Sequence, residues 1–293
     1  MKKVIASVLS AALALSLVAC GGSSAPASSA PASSAPASSE AASSEAAEPI
    51  VVKVAASATP HAEILEGAVA PLLAEQGITL KVDVFDDYIQ PNNVVEEGEY
   101  YANYFQHTPY LDSFNAENGT HLVSVASVHY EPYAIYAGKT ASLDELAEGA
   151  QIAVPNDPSN EARALQLLAA AGIITLDPEA GLSATKLDIT ENPLNVEIVE
   201  MEAAQLPRTL ADVDLAVING NYAKEADLTP AEDGLFVEAS DSDFAQTYAN
   251  ILCVREDNAD SDLTKTLVAA ITSDAVRDFI SATYADGSVL AIF

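Results

Sequence analysis

Val154-Pro155-Asn156-Asp157-Pro158-Ser159-Asn160-Glu161-Ala162-Arg163 turns an apolar strand into a helix within a few residues. The strand predicted over 151–154 ends at a proline. Asp157 is a strong N-cap residue, and Pro158 at the first helical position loses no hydrogen bond there. The alanine- and leucine-rich run that follows stops at Gly172, so a helix is predicted over 158–171. A strand feeding a helix through a tight polar turn is the repeating unit of α/β folds, whose ligands sit beyond the carboxyl ends of the strands. Asn160 and Arg163 lie one turn apart on the same helix face, near the positive end of the helix dipole, a suitable place for a carboxylate. Spacing alone equally allows Arg163 to pair with Glu161 or to face solvent.

The same alternation extends in both directions. Strands are predicted at 51–56, 80–85, 134–137, 151–154, 196–199, 214–218 and 250–254, with helices near 62–74, 158–171, 203–210 and 263–284. This is an α/β chain of mostly parallel sheets covered by helices. About 245 residues follow the N-terminal segments, more than one core usually organises, which suits two lobes. Breaks in the strand pattern divide them into 49–140 with 247–293, and 141–246.

The N-terminus is not part of that fold. Lys2 and Lys3 precede an apolar run from Val4 to Leu17 that is too short to span a bilayer, so residues 1–19 read as a secretory signal. Leu17-Val18-Ala19-Cys20 resembles the bacterial lipobox, which implies acylation of Cys20 and a lipid-anchored protein on the extracytoplasmic face of the cell membrane. Residues 20–48 repeat Ser-Ser-Ala-Pro-Ala and Ser-Ser-Glu-Ala with no large apolar side chain. Such a tether cannot offset its ordering entropy, and its root-mean-square reach is on the order of 30 Å.

The formal net charge is −31, without a basic cluster beyond Lys2-Lys3, so a phosphate backbone would be repelled and nucleic acid is not an expected partner. Cys253 has no partner for an internal disulfide and sits among Ile251, Leu252 and Val254 as a small buried hydrophobe. No G-x-S-x-G or H-E-x-x-H motif is present, and Gly138-Lys139-Thr140 has Tyr133 where a phosphate loop needs glycine. No enzyme and no cofactor are expected. A metal-binding lipoprotein is the rival reading, with His61, His107, His121 and His129 as possible ligands. These four histidines are scattered without a close pair, so no metal site is expected. A surface adhesin without a ligand is the third reading.

Two further stretches carry polar groups at useful places. Tyr100-Tyr101-Ala102-Asn103-Tyr104-Phe105-Gln106-His107-Thr108-Pro109-Tyr110 concentrates aromatics in a chain without tryptophan, as either a plain core or the wall of a thioether pocket. Asp214-Leu215-Ala216-Val217-Ile218-Asn219-Gly220 is a buried strand ending in an amide, where Asn219 either meets a ligand or makes the turn. Glu191-Asn192-Pro193 is a third polar motif that a turn alone would explain.

Taken together, Thr59-Pro60-His61-Ala62-Glu63-Ile64-Leu65, Phe105-Gln106-His107, Asn156-Asp157-Pro158-Ser159-Asn160, Glu191-Asn192-Pro193 and Asp214 to Asn219 resemble, in order, the motifs of methionine-binding lipoproteins of ABC importers. The resemblance covers residues 50 to 293. It implies a two-lobed fold of the type 2 periplasmic-binding-protein kind, with L- or D-methionine, or a methionine dipeptide, enclosed between the lobes. It implies that Tyr88, Phe105 and His107 touch the solute side chain, that Asn156, Asn160, Arg163 and Asn219 hold the amino-acid backbone, and that Asn192 belongs to the site. Its implied partners are an importer permease and its ATPase, served by a monomer. Cys253 and the terminal Ala291-Ile292-Phe293 depart from the family, which usually has an aliphatic residue at the first place and a tryptophan near the second.

Overall fold

The computed structural model describes residues 50–239 and 246–293. The signal segment, Cys20 and the tether lie outside the described residues. In chain order the strands are β1 (Ile50–Ala56), β2 (Ile78–Val84), β3 (Ala102–His107), β4 (Leu122–Tyr130), β5 (Ala134–Ala137), β6 (Gln151–Pro155), β7 (Thr175–Leu176), β8 (Ile189–Glu191), β9 (Glu197–Met201), β10 (Leu215–Ile218), β11 (Gly234–Val237), β12 (Asn250–Arg255) and β13 (Leu290–Ala291). They form one sheet ordered β13-β4-β12-β3-β1-β2, a second ordered β11-β5-β10-β6-β9, and a small β7-β8 ribbon.

Both large sheets are mixed, which corrects the expectation of mostly parallel ones. The β1–β2, β1–β3, β6–β9 and β6–β10 pairs are parallel. The two strands next to the crossovers run the other way: β5 lies antiparallel between β10 and β11, and β12 lies antiparallel between β3 and β4. Strand β5 therefore belongs to the second sheet, although a division at residue 140 assigns it to the first lobe. Only Glu131 to Tyr133 separates it from β4.

The opening stretch folds as its sequence dictates. The Asp157 side chain caps the helix Pro158–Ala170 by accepting from the Asn160 amide N–H. Ile152 and Val154 of β6 pack on Leu165 and Leu168 of that helix, while Ala153 between them faces Leu206 and Ile218 on the other side of the sheet. Alternation on a strand covered on both faces thus feeds two cores, each large aliphatic contributing about 1.5–3 kcal/mol. In the first sheet Val52 and Val54 pack against Ile64, Leu73, Leu267 and Ile280.

Other elements differ from their predicted form. The helix predicted at 263–284 is two helices, Asp262–Ile271 and Asp274–Thr283. At the break the Thr272 hydroxyl donates back to the Val268 carbonyl at 2.7 Å, and Ser273 takes extended dihedrals (φ −81, ψ 158). Hydroxyl side chains offer the backbone this alternative to a continued helix. Strand β3, strand β4 and the helix Thr108–Asn118 were not predicted. Strand β3 is buried at every position, so it has no polar face to produce an alternating pattern. No described helix is long and apolar enough to cross a membrane.

Candidate functional site

The carboxyl ends of β3, β6 and β10 converge on a cavity between the two large sheets. It is lined by Tyr88, Phe105, His107, Tyr110, Glu131, Asn160, Arg163, Asn219, Asn221 and Asn250, and the space left open among them is about 20 Å³. One wall is aromatic: the rings of Tyr88, Phe105 and Tyr110 meet one another with centroids 5.6 to 6.0 Å apart. The other walls are polar.

Asn160 organises the polar side. Its Nδ2 donates to the Asp157 carboxylate at 2.9 Å, while its Oδ1 accepts from Asn219 Nδ2 at 2.9 Å and from His107 Nε2 at 3.1 Å. His107 ends β3, and its Nδ1 accepts from the Tyr110 N–H at 3.2 Å, capping the next helix. The imidazole therefore carries its proton on Nε2. Burial, with the Arg163 cation nearby, lowers its pKa to about 3, so it stays neutral. Hydrogen bonds cross from one lobe to the other at His107 to Asn160, Tyr88 Oη to Asn221 Oδ1 at 2.5 Å, Tyr222 Oη to the Asp86 carbonyl at 3.0 Å, and Tyr130 Oη to the Glu238 carboxylate.

Arg163 is buried, but its fork is already engaged. Nε and Nη2 donate to the Glu238 carboxylate at 3.2 and 2.6 Å, and Nη2 also donates to the Glu131 carbonyl at 3.1 Å. The guanidinium carbon stands 4.6 and 4.4 Å from the ring centroids of Tyr133 and Tyr248. The Glu131 carboxylate faces the same cavity, and burial raises its pKa above the usual range. It lies against the backbone of Gly220, where a Cβ would stand 2.4 Å from Glu131 Oε2, so glycine is required for this close approach.

The family model for NlpA lipoproteins matches residues 52–293. The chain belongs to the NlpA lipoprotein family. It is 43% identical over 244 residues to the D-methionine-binding lipoprotein MetQ of Salmonella typhimurium, covering 83% of this chain and 89% of that one. A putative lipoprotein of Ruminococcus gnavus superposes with a TM-score of 0.81 at 56% identity, covering 83% of this chain and 99% of that one. A nutrient-binding protein of Burkholderia cenocepacia, solved bound to methionine, superposes with a TM-score of 0.78 at 44% identity, covering 83% and 100%. The Salmonella and Burkholderia relatives are binding proteins, and the two-lobed α/β fold is shared with the solved relatives.

Of the residues singled out in the sequence, this NlpA family member brings Tyr88, Phe105, His107, Asn160, Arg163 and Asn219 to the cavity. Two do not reach it. Asn156 is exposed and lines a neighbouring groove with Glu202 and Tyr222, because the chain turns outward before the Asp157 cap. Asn192 closes its own turn, donating to the Val196 carbonyl and accepting from the Val196 N–H at 2.9 and 2.8 Å. Arg163 pairs with Glu238, not with Glu161, which instead accepts from the Lys186 N–H. Glu131, Asn221 and Asn250 were missed. Glu131-Pro132 after an apolar strand was the one available signal, an acidic residue at a strand's carboxyl end.

Proposed function

We propose that this chain binds methionine between its lobes and delivers it to the permease and ATPase of an ABC importer, held at the outer face of the cell membrane by acylated Cys20. The observation that carries the reading is one cavity with a cation, Arg163, and a carboxylate, Glu131, beside the Tyr88, Phe105 and Tyr110 wall. A free α-amino acid is a zwitterion with an apolar tail, and these three features match its three parts. The solute carboxylate would meet Arg163 Nη1 together with Asn219, its ammonium would meet Glu131, and its thioether would lie against Phe105 and His107, since sulfur favours ring edges. With its fork spent on Glu238, Arg163 offers the carboxylate one nitrogen and not a bidentate clamp. The methionine-bound relative at 44% identity supports the choice of side chain.

Closure would hinge at the crossover Glu131 to Tyr133 that joins the two sheets. Thermal unfolding of tether-free protein, first unfolded and refolded to strip any resident solute, tests the reading against the standard amino acids, D-methionine and methionine dipeptides. A methionine species should give the largest rise in midpoint, equivalent to about 2.7 kcal/mol at a hundredfold excess over Kd. A panel in which no amino acid or dipeptide raises the midpoint would reject it.

A further inference from the structure

His61, His129 and Glu131 bring two imidazole nitrogens and a carboxylate oxygen within 4.8 Å of one another, all three side chains buried. His129 Nε2 lies 2.8 Å and His61 Nε2 lies 3.6 Å from the same Glu131 Oε1. Asn250 Oδ1 stands 2.9 Å from His61 Nε2 and adds a fourth donor. The four come from the loop after β1, the end of β4, the crossover that follows it and the start of β12, each held by sheet or core. Around zinc, bonds of roughly 2.0–2.2 Å to nitrogen and oxygen put tetrahedral ligands about 3.3 Å apart. The observed separations bracket that value.

We propose that His61 Nε2, His129 Nε2, Glu131 Oε1 and Asn250 Oδ1 form a binding site for a divalent zinc-class ion at the floor of the cavity. The donor set, two imidazoles with two oxygens, suits zinc and cobalt rather than calcium or magnesium. Each imidazole can present its Nε2 lone pair by carrying its proton on Nδ1 instead. For His129 that proton meets the Tyr104 hydroxyl, which already contacts Nδ1 and would orient the ring from behind. His61 Nδ1 is buried on the side of the Thr59 backbone, which would accept that proton. The ion would also neutralise Glu131, which Arg163 and Lys224 already face. This site differs from a metal-transport site built on all four histidines, since His107 and His121 lie elsewhere, bonded to Asn160 and Glu96.

Cobalt(II) titration of tether-free protein, refolded in the presence of a chelator that is then removed, tests the site directly. The wild type should develop the visible absorption of low-symmetry cobalt with one equivalent bound, and zinc should displace it with micromolar or tighter affinity. Glu131→Gln and His61→Gln keep side-chain volume and should each weaken zinc by about a hundredfold, while His121→Ala at the exposed pair should leave it unchanged. Circular dichroism establishes that each variant is folded, and the two independent variants guard against one that is not. Absence of a cobalt band in the wild type, or equal zinc affinity in folded Glu131→Gln, would overturn the proposal.

Discussion

Arg163 and Glu238 form a nearly water-free ion pair, with side chains 5% and 10% exposed. Removing one partner of such a pair strands the other charge, at a cost of roughly 3–5 kcal/mol. Arg163→Ala should therefore lower urea-unfolding stability by that order, and adding Glu238→Gln should recover part of the loss. Equal stabilities of the single and double variants would mean that the pair is not coupled. Gly220 offers a second test. A methyl group there would collide with the Glu131 carboxylate, so Gly220→Ala should weaken solute binding while Gly287→Ala, at a remote turn, should not. Burial pushes the Cys253 thiol far up. The thiolate is the reactive form, so a thiol reagent should label this residue only after denaturant is added, and fast labelling of native protein would contradict its burial.

At the scale of elements, the helix Pro158–Ala170 carries the most consequence. Its cap, its first-turn amide and its arginine serve fold and cavity together, because Asp157 holds Asn160 and Asn160 in turn holds His107 and Asn219. Asn160→Ala should thus lower solute affinity by tenfold or more, and Asp157→Ala, which both frees the Asn160 side chain and uncaps the helix, should lower affinity less and also cost the helix about 1 kcal/mol. Calorimetry alongside urea denaturation separates the two effects. This element was legible in the sequence because capping chemistry is local: Asp157, Pro158 and Gly172 announce it without tertiary information. Strand β3 was not, since burial on both faces erases the alternation that marks a strand. Phe105 and His107 could still be picked out as chemistry within an aromatic run whose form was unread. Asn156 and Asn192 show the opposite failure, polar residues in motif-like positions that turn geometry alone uses up.

At the scale of the whole molecule, two mixed sheets enclose the cavity, and hydrogen bonds from His107, Tyr88, Tyr222 and Tyr130 span the cleft between them. The division into two lobes follows from chain length and strand alternation, but its position does not. Strand β5 pairs with β10 and β11 by long-range hydrogen bonds that no local pattern records. Losing the solute should loosen the cleft, so small-angle scattering should report a larger radius of gyration for refolded protein than for the same protein saturated with methionine. An unchanged radius would argue against hinge closure. In cells, Cys20→Ala should release the protein from membranes in soluble form.

The central claim is that the cavity recognises a free α-amino acid through both of its charges. Isothermal titration of refolded, tether-free protein with methionine, methioninol and N-acetylmethionine tests it most directly. Methionine should bind at one equivalent per chain, and each analogue, lacking one pole, should bind at least a hundredfold more weakly, since a buried charge left unpaired costs several kcal/mol. Methioninol or N-acetylmethionine binding as tightly as methionine would contradict the account, by showing that Arg163 or Glu131 is not the group that meets that end of the solute.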